Sequence, residues 1–578
     1  MGVALAAVAL VGAWLLSKAW KLYQNYQAAA KSGLPYLIWP VDPENIFFIV
    51  LQLPIKSLLR ILLPASLHER ATVGFMGWEF FDKNRLHERV GPAFILVTAG
   101  MNQLWCADPA MATVILARRK DFVQLPLASK VMRFLGENIL TSDGETWARQ
   151  RRLVAPNLNE RISAKVWAES LTQGRQMAAF LQGLPGGLAD DTISSLRAVA
   201  INVLGRVGYD QPKAFRPMEL PRTPDAPMTY VEAISLCTEL LVLASLLPGW
   251  LLRLPFMPTP IRTVGAALAN LPGLTKEMLD GERRGAAETD TARDNVMSML
   301  VRLSDQGRAD DRLGKGGGGE GKTGQFLTED EIAGNLFIFT GAGFDTTATT
   351  LTYAIALLAV HPQWQAWIQE EIDLVFGAAA AKDASGADGD KLDDYATCFP
   401  KLNRCLALML ETLRLFPPVI HLSRSITHTQ TITVHDRTYI IPGPCTVYVN
   451  NAGLHHARAT WGADALDFRP SRWLVSPDND APGQPEVLIT PDRGTFLAWS
   501  GGPRVCPGQK MSQVEFVTVV ATLFGRLRVE PVVAGPKGRG GLEEAAREHF
   551  KGLMEDSTTR LTLQMNRPEE FKLRWLAR

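Results

Sequence analysis

Apolar residues recur every three or four positions over most of this chain, and alternation of apolar and polar residues is confined to short stretches. The first period predicts helices, and the second predicts strands. The clearest predicted helices cover residues 162–181, 193–207, 230–246, 261–280, 330–360, 362–375 and 402–415. The predicted strands are residues 94–97 with 103–107, 430–434 with 437–441, and 446–450. This order predicts a mainly α-helical protein with small β-sheets.

The N-terminal segment is the most continuously apolar part of the chain. Residues 3–16 carry no charge, and lysines follow at 18, 21 and 31. A bilayer-spanning helix needs about 20 apolar residues, which this run reaches only if Ala19 and Trp20 are included. A cleaved signal peptide would carry its positive charge before the apolar run rather than after it. We therefore expect an uncleaved membrane anchor over residues 1–22, with the rest of the chain on the cytoplasmic side.

A second apolar run covers residues 46–63, after a proline-rich stretch at residues 35–43. Pro54 and two basic residues interrupt this run, so a clean transmembrane span is not expected. Two interpretations stay open: an amphipathic segment lying on the membrane, or a core helix of the first domain. We expect residues 23–64 to form a linker and membrane-associated segment, and residues 65–578 to form one catalytic domain.

Composition excludes several classes of protein. Among 578 residues, Lys and Arg number 60 and Asp and Glu 59, so the net charge of +1 argues against a basic nucleic-acid-binding surface. Six cysteines without a Cys-x-x-Cys pair are too few for a disulfide scaffold, and their spacing argues against structural zinc. Two low-complexity segments, residues 306–325 and 378–390, predict surface loops.

Candidate chemistry is concentrated at Cys506, in the sequence Trp-Ser-Gly-Gly-Pro-Arg-Val-Cys-Pro-Gly-Gln over residues 499–509. Pro507 suits the first turn of a helix, and the apolar pattern continues from residue 511 to residue 524. A cysteine just before a helix N-terminus is in a position that stabilises the thiolate. Cysteine thiolate is one of the proximal ligands of haem iron. The alternative is an inert buried cysteine in a glycine-rich turn.

This segment resembles the haem-binding loop of the cytochrome P450 family, Phe-x-x-Gly-x-Arg-x-Cys-x-Gly. Gly502, Arg504, Cys506 and Gly508 match it, and Trp499 stands at the usual Phe position, which we expect to tune the site rather than abolish it. The resemblance implies the cytochrome P450 fold, preceded here by the N-terminal transmembrane helix. It also implies a haem cofactor, iron-protoporphyrin IX, with Cys506 as the axial ligand of the iron.

A second motif of this family is Glu-x-x-Arg, matched here by Glu411 and Arg414. On a helix, residues three apart share one face. A Pro-x-Arg segment in the family supplies a third member, and residues 470–472 place Arg472 there. A buried ion pair needs such additional hydrogen bonds to offset desolvation. The resemblance implies a structural role for these three residues.

A third motif lies within the predicted helix 330–360, where Gly341-Ala-Gly precedes Asp345 and Thr346. Thr328 and Glu331 form a capping-box pattern at its start. Helical glycines cost about 1 kcal/mol each relative to alanine, so a local reason is expected. The resemblance implies a widened turn above the haem where O2 binds, with Thr346 donating to bound oxygen and Asp345 relaying protons. A helix–helix contact is the alternative.

A fourth motif pairs Trp147 with Arg151, four residues apart on one helix face. In the family, side chains at this spacing donate to a haem propionate. Arg424 resembles another propionate partner, since a guanidinium suits carboxylates, although a surface role fits Arg424 taken alone equally well. All of these motifs occur in the family's order.

The resemblance implies a monooxygenase that activates O2 and hydroxylates or oxidatively couples a hydrophobic small molecule, as membrane-bound fungal members of secondary metabolism do. No flavin or nicotinamide motif is visible, so electrons are expected from a separate NADPH-dependent reductase. We expect the endoplasmic reticulum membrane with the catalytic domain facing the cytoplasm. Arg149, Arg152 and Lys510 are candidates for a reductase-docking face, with solvated surface charge as the alternative.

Two other functions use the same cofactor. A haem-thiolate isomerase or dehydratase needs no O2, and such relatives tend to lack the Asp345–Thr346 acid–threonine pair. A non-enzymatic haem sensor needs neither a proton relay nor a reductase. The sequence does not identify the substrate.

Overall fold

A computed structural model describes residues 2–62, 72–133, 135–221, 223–288, 295–312, 326–383, 394–475, 486–532 and 541–578. The chain forms two compact units. The first, called the sheet unit, contains Met1–Pro126, Arg414–Asp467 and Pro491–Cys506. The second, called the helical unit, contains Leu127–Leu413, Phe468–Thr490 and Pro507–Arg578.

The described α-helices are α1 Gly2–Ala30, α2 Ile46–Leu62, α3 Trp78–Asp82, α4 Arg85–Val90, α5 Pro109–Ala117, α6 Pro126–Met132, α7 Gly144–Val154, α8 Glu160–Gln182, α9 Thr192–Tyr209, α10 Tyr230–Glu239, α11 Leu241–Leu246, α12 Gly249–Leu252, α13 Thr259–Glu288, α14 Val296–Arg312, α15 Glu329–Val360, α16 Pro362–Asp383, α17 Tyr395–Cys398, α18 Asn403–Leu415, α19 Asn451–His456, α20 Arg458–Trp461, α21 Gln509–Phe524 and α22 Gly541–Glu555. The described strands are β1 Tyr36–Trp39, β2 Ala93–Thr98, β3 Asn102–Cys106, β4 Leu188–Ala189, β5 His421–Ile426, β6 Gln430–Val434, β7 Arg437–Ile441, β8 Cys445–Asn450, β9 Leu474–Val475, β10 Val487–Leu488, β11 Leu527–Pro531, β12 Ser557–Thr559, β13 Leu563–Met565 and β14 Leu573–Ala577.

The sheet unit is built on a five-stranded sheet in the order β1-β2-β3-β8-β5. β1 runs parallel to β2 and β3 parallel to β8, whereas the β2–β3 and β5–β8 pairs are antiparallel. Every residue of β2, β3 and β8 is buried, which explains why these segments are rich in apolar side chains on both faces. β6 and β7 form a separate hairpin whose bounds agree with those predicted from the sequence.

The helical unit is organised around α15, which has 32 residues. Thr328 and Glu331 form the predicted capping box at its start, and most of its side chains are buried around the whole circumference. A helix that is apolar all round belongs in a core. α9, α10, α14, α16, α21 and α22 pack against it. The unit's described sheets are small: β11-β14-β4, β9-β10 and β12-β13.

The fold class predicted from the sequence is confirmed, with an apolar N-terminal helix and small sheets in a helical protein. The predicted helix 230–246 is broken at Leu240 into α10 and α11. The predicted domain limits stay predictions, since the 64/65 boundary lies outside the described residues. The two low-complexity loops also lie largely outside them, although α14 and α16 extend into their first residues.

Candidate functional site

Cys506 lies in the sheet unit and is exposed, whereas the other five cysteines of the chain are buried. Burial raises the pKa of Cys106, Cys237 and Cys445 to about 12, so these thiols stay protonated at neutral pH. The Cys506 amide donates to the Trp499 carbonyl at 2.8 Å, which closes the loop predicted from the sequence. An exposed thiol in an ordered loop is accessible to a ligand, and a cysteine thiolate is one of the proximal ligands of haem iron.

The glycines of this loop have a structural reason. Gly502 starts a 3-10 turn, Gly502–Arg504, and has a φ of 64°, in the left-handed region. A Cβ at Gly502 would come within 2.6 Å of the Leu116 carbonyl oxygen at the end of α5. Only glycine lets the backbone approach that closely. On the other side of the cysteine, Gly508 is the N-cap of α21.

Arg424 is in β5 of the sheet unit and is almost completely buried. Its Nη1 donates to the Ser423 carbonyl at 2.7 Å and to Gln124 Oε1 at 3.2 Å. The neighbouring Ser425 exchanges backbone hydrogen bonds with Val123, at 2.8 and 3.0 Å, which fixes this part of the strand. Burial argues against the surface role that the sequence left open for Arg424.

Trp147 and Arg151 lie on α7 of the helical unit, where Trp147 is buried and Arg151 is partly buried. Their four-residue spacing puts both side chains on one face of the helix, as predicted. The two side chains therefore share a helix face, and their role as donors to one acceptor stays a prediction.

α7 is joined to α15 by a buried polar network that sequence patterns did not indicate. Arg149 donates to both carboxylate oxygens of Glu331, at 2.5 and 2.9 Å. Gln150 donates to the same carboxylate at 3.1 Å and accepts from Asn335 at 3.0 Å. The Asn335 side chain also accepts the Ile139 amide at 3.0 Å. These buried hydrogen bonds between side chains of α7 and α15 fix the relative placement of the two helices.

The same network changes the interpretation of Arg149 as part of a reductase-docking face. The Arg149 side chain is only 14% exposed and is committed to Glu331, so it does not present its charge to a partner. Lys510 lies 4.3 Å from the centre of the Phe399 ring. Of the three basic residues proposed for a reductase-docking face, Arg149 is therefore excluded.

The hydrogen bonds of the Glu331 carboxylate lead us to expect that the stability of the protein depends on pH. Burial raises the pKa of its carboxyl, but hydrogen bonds from Arg149, the Thr328 amide and Gln150 outweigh this, and the pKa lies below its ordinary value. A lowered folded-state pKa stabilises the protein above the unfolded value of about 4.3, and that contribution is lost as the pH falls through the folded value. We expect Glu331→Gln to lower the free energy of unfolding by about 1–3 kcal/mol at pH 7.

Thermal or urea unfolding of both proteins between pH 7 and pH 3.5 checks this prediction. The difference in free energy of unfolding between wild type and Glu331→Gln should be constant above about pH 5 and should shrink below pH 4.3. Glu329→Gln is the matched control, because Glu329 is in the same helical turn but 48% exposed in its pair with Arg283. A difference that does not narrow at low pH would contradict the assigned role of the carboxylate.

Asp345 is buried on α15 with both carboxylate oxygens occupied. Oδ1 accepts from Arg197 Nη2 at 3.3 Å, and Oδ2 accepts from Thr562 Oγ1 at 2.6 Å. Arg197 also donates to Glu239 at 3.0 Å. Arg197 and Thr562 were not found from the sequence, because they are 148 and 217 residues away from Asp345 and belong to no local motif.

Thr346 follows Asp345 and is only partly buried. Its hydroxyl donates to the Ala342 carbonyl at 2.8 Å, one turn earlier in α15. A side-chain hydrogen bond to the i−4 carbonyl tends to bend a helix locally. The predicted widened turn does not interrupt the helix, since α15 is helical from Glu329 to Val360.

Glu411 and Arg472 meet in the helical unit, as the sequence predicts. The Glu411 carboxylate is completely buried and accepts from Arg472 Nε and the Arg469 amide through one oxygen, both at 2.9 Å. Its other oxygen accepts from the Trp473 indole at 2.9 Å, a partner that the motif did not include.

Arg414, the other member of the motif, belongs to the sheet unit. Its guanidinium donates to three backbone carbonyls: His455 at 2.9 Å, Ala465 at 2.5 Å and Asp467 at 3.2 Å. It also lies 5.3 Å from the Trp461 ring centre. Arg414 therefore holds the last turn of α19 and the backbone that follows α20.

Comparison with known proteins agrees with these motifs. The family model described as Cytochrome P450 matches residues 72–538. The chain is 31% identical over 565 residues, 90% of each protein, to the Phomenoic acid biosynthesis cluster cytochrome P450 monooxygenase of Leptosphaeria maculans. It is 28% identical over 542 residues, 89% of each, to the Cytochrome P450 monooxygenase ORF6 of Penicillium roqueforti. It is 26% identical over 542 residues to the Cytochrome P450 monooxygenase prx9 of Penicillium rubens.

Proposed function

Because the chain belongs to the cytochrome P450 family, whose cofactor is thiolate-ligated haem iron, we propose that it takes electrons from a separate NADPH-dependent reductase and uses O2 to oxidise a hydrophobic small molecule. The observation that carries this proposal is Cys506, the exposed thiol in a loop whose backbone requires glycine. A role in secondary metabolism is supported by the relative from Leptosphaeria maculans, whose name places it in a biosynthesis cluster.

We assign Cys506 as the axial ligand of the iron, within the loop formed by Trp499, Gly502, Arg504 and Gly508. The bound haem supplies the activation of O2, and the protein supplies the ligand, proton delivery and substrate placement. The loop's closed geometry supports a fixed position for the sulfur atom.

Trp147, Arg151 and Arg424 are the proposed donors to the haem propionates. Their burial or partial burial supports this assignment, because a carboxylate removed from water needs hydrogen-bond donors and all three side chains carry N–H donors. Charge-assisted hydrogen bonds from such donors are short and strong, so they orient a carboxylate well.

Proton delivery is assigned to Asp345 and Thr346. The Thr346 hydroxyl is held by the Ala342 carbonyl, which leaves its oxygen as an acceptor and its position fixed. Arg197 and Thr562 hold the Asp345 carboxylate, and we propose them as positioning residues for it. Arg197 also donates to Glu239, and because a guanidinium keeps its protons, Arg197 positions the two carboxylates and does not itself pass protons to Asp345.

Thr346→Ala is expected to uncouple O2 consumption from product formation. Losing a positioned hydroxyl from the proton relay costs on the order of tenfold or more in the productive step, while electron delivery continues. Product and peroxide formed per NADPH consumed measure this with the purified enzyme and its reductase. Thr350→Ala is the matched control, since Thr350 makes the same bond to the Thr346 carbonyl at 2.8 Å one turn later. An equal yield of product per NADPH in both variants would argue against a role of Thr346 in proton delivery.

The function is tested by two measurements on the haem-loaded protein. After reduction and addition of carbon monoxide, a thiolate-type shift of the Soret band is expected. A hydrophobic substrate should then be converted only when the reductase, NADPH and O2 are all present. Conversion under anaerobic conditions would instead support the isomerase or dehydratase alternative, against which the Asp345–Thr346 pair argues.

We also propose that α1 anchors the protein in a membrane, with the catalytic part on the cytoplasmic side of the endoplasmic reticulum. Among the described residues, one helix, Leu5–Ala30, is long and apolar enough to span a bilayer. In α2, Phe47, Leu51 and Leu58 are more than half exposed, which supports contact of this helix with lipid.

A further inference from the structure

α1 does not end where the predicted membrane span ends. It is one helix of 29 residues, and the sequence has no glycine or proline between Gly12 and Gly33 at which it would bend. A helix of this length spans about 43 Å, which exceeds a hydrocarbon core of about 30 Å. The last third of α1 must therefore lie outside the core of a bilayer that its first two thirds cross.

That last third is attached to the sheet unit through Asn25. The buried Asn25 side chain donates from Nδ2 to the Thr98 carbonyl at 2.8 Å and to the Gly100 carbonyl at 2.9 Å. In return, Asn102 donates from Nδ2 to the Asn25 carbonyl at 3.0 Å. These partners form the end of β2, the turn and the start of β3, so one residue of the helix is bonded to both strands.

The end of α1 is also fixed. The Ser32 hydroxyl donates to the Ala29 carbonyl at 2.6 Å, and the Ile440 amide in β7 donates to the Ser32 carbonyl at 2.9 Å. The Tyr26 ring contacts the Tyr36 ring edge to face, with 5.4 Å between centres. Because Tyr36 begins β1, these contacts hold the short connection 31–35 between the helix and the sheet at both of its ends.

The exposed part of α1 has the pattern of a lipid-facing helix that reaches the headgroups just before Asn25. Leu5, Val8 and Leu16 are each more than 60% exposed. Trp20 and Tyr23 follow, exposed and 5.9 Å apart, and such aromatic residues concentrate at the level of the headgroups. Asn25 lies five residues after Trp20, about 8 Å along the axis.

The edge of the sheet next to α1 is apolar as well. Tyr36 and Ile38 lie on the same face of the edge strand β1 and are both exposed, Ile38 to 57%. Edge strands that face water usually carry charged side chains there. An apolar edge beside a lipid-facing helix is instead consistent with contact with lipid.

We propose that α1 is a rigid support that holds the sheet unit at a fixed height and tilt, with the β1 edge against the headgroups of a phospholipid bilayer. This inference rests on the proposed membrane anchoring. It differs from anchoring alone, because a chain tethered through a flexible linker would let the catalytic part rotate freely above the membrane.

The experiment uses the full-length, haem-loaded protein in phosphatidylcholine vesicles, with a fluorophore introduced at position 38 as a non-natural amino acid. Time-resolved anisotropy should show a large residual value, and lipids with a headgroup nitroxide should quench the fluorophore. Asn25→Ala should lose part of the residual anisotropy. Gln27→Ala should not, because Gln27 is exposed and its amide bonds Tyr23 within the same helix.

An insertion of Gly-Ser-Gly-Ser after Lys21 is the second variant, since it leaves the Asn25 contacts intact and adds a hinge. It should stay bound to vesicles in flotation and lose most of the residual anisotropy. If the wild type floats with vesicles but rotates as freely as the insertion variant, the rigid support is overturned while the anchor stands. If the wild type does not float, both are overturned. A high anisotropy without quenching at position 38 would refute the contact of β1 with the headgroups.

Discussion

Replacing Cys506 with alanine is expected to abolish both the thiolate-type carbonyl spectrum and turnover. Changing a hydrogen-bond partner of a metal ligand typically costs about 10- to 100-fold, so loss of the ligand itself should leave less than about 1% of wild-type activity. The reason is electronic, because the thiolate donates density that favours cleavage of the O–O bond. Haem content, the reduced carbonyl spectrum and product formation measure the effect.

Cys398→Ala is the matched control for this substitution. Cys398 is buried in α17, and burial raises the pKa of its thiol, so it stays protonated and cannot replace the ligand. The control should keep the wild-type spectrum. If Cys506→Ala keeps a thiolate-type spectrum, or if both variants lose it equally, Cys506 is not the ligand.

The site residues that sequence patterns predict are those that lie in short local motifs. The loop at Cys506 leaves a pattern in the sequence, because its backbone limits which residues fit. Gly502 adopts a φ of 64° and lies close to the Leu116 carbonyl. Asp345 and Thr346 form a recognisable sequence pattern because they are adjacent on one helix. Local geometry imposes a spacing on the sequence in each case, and that spacing is what the motif records.

The hydrogen-bond partners of these residues are distant in the sequence and form no motif with them. Thr562 reaches Asp345 from the turn between β12 and β13, and Arg197 reaches it from α9. Either residue could have been serine, lysine or another donor without changing any local pattern. The Arg149–Glu331 pair has the same origin, and the sequence alone predicts a docking face or solvated surface charge for Arg149, because an isolated arginine is usually exposed.

The N-terminal region shows a second limit of sequence patterns. Hydropathy predicted where a span begins, but it could not show that α1 continues to Ala30, because Asn25 and Gln27 are polar and read as the start of a linker. The Asn25 hydrogen bonds to Thr98 and Gly100 depend on a sheet that forms about 75 residues later in the chain. Only the folded unit shows why this polar residue is buried.

Glu411→Gln is expected to have the largest effect on stability. The substitution removes the negative charge that pairs with the Arg472 guanidinium, whose side chain is 5% exposed. Breaking one partner of a buried ion pair costs about 3–5 kcal/mol, a large fraction of a typical stability of about 5–15 kcal/mol. We expect little soluble haem-loaded protein, and a urea unfolding midpoint well below that of the wild type. Glu370→Gln is the control, because Glu370 pairs with Arg404 but is 68% exposed, and exposed pairs contribute about 0–1 kcal/mol.

The geometry of the Glu411 site allows the effect to be divided among its donors. Trp473→Phe removes only the indole donor and should cost about 1–2 kcal/mol, since the charge pair remains. Arg472→Lys keeps the charge but loses the guanidinium geometry. Its loss in free energy of unfolding should therefore fall between those of Trp473→Phe and Glu411→Gln. This order would show that the carboxylate stabilises the fold through its charge as well as its hydrogen bonds. If Glu411→Gln unfolds within 1 kcal/mol of Glu370→Gln, or if Trp473→Phe is the most damaging of the three, the charge pair is not what stabilises this part of the helical unit.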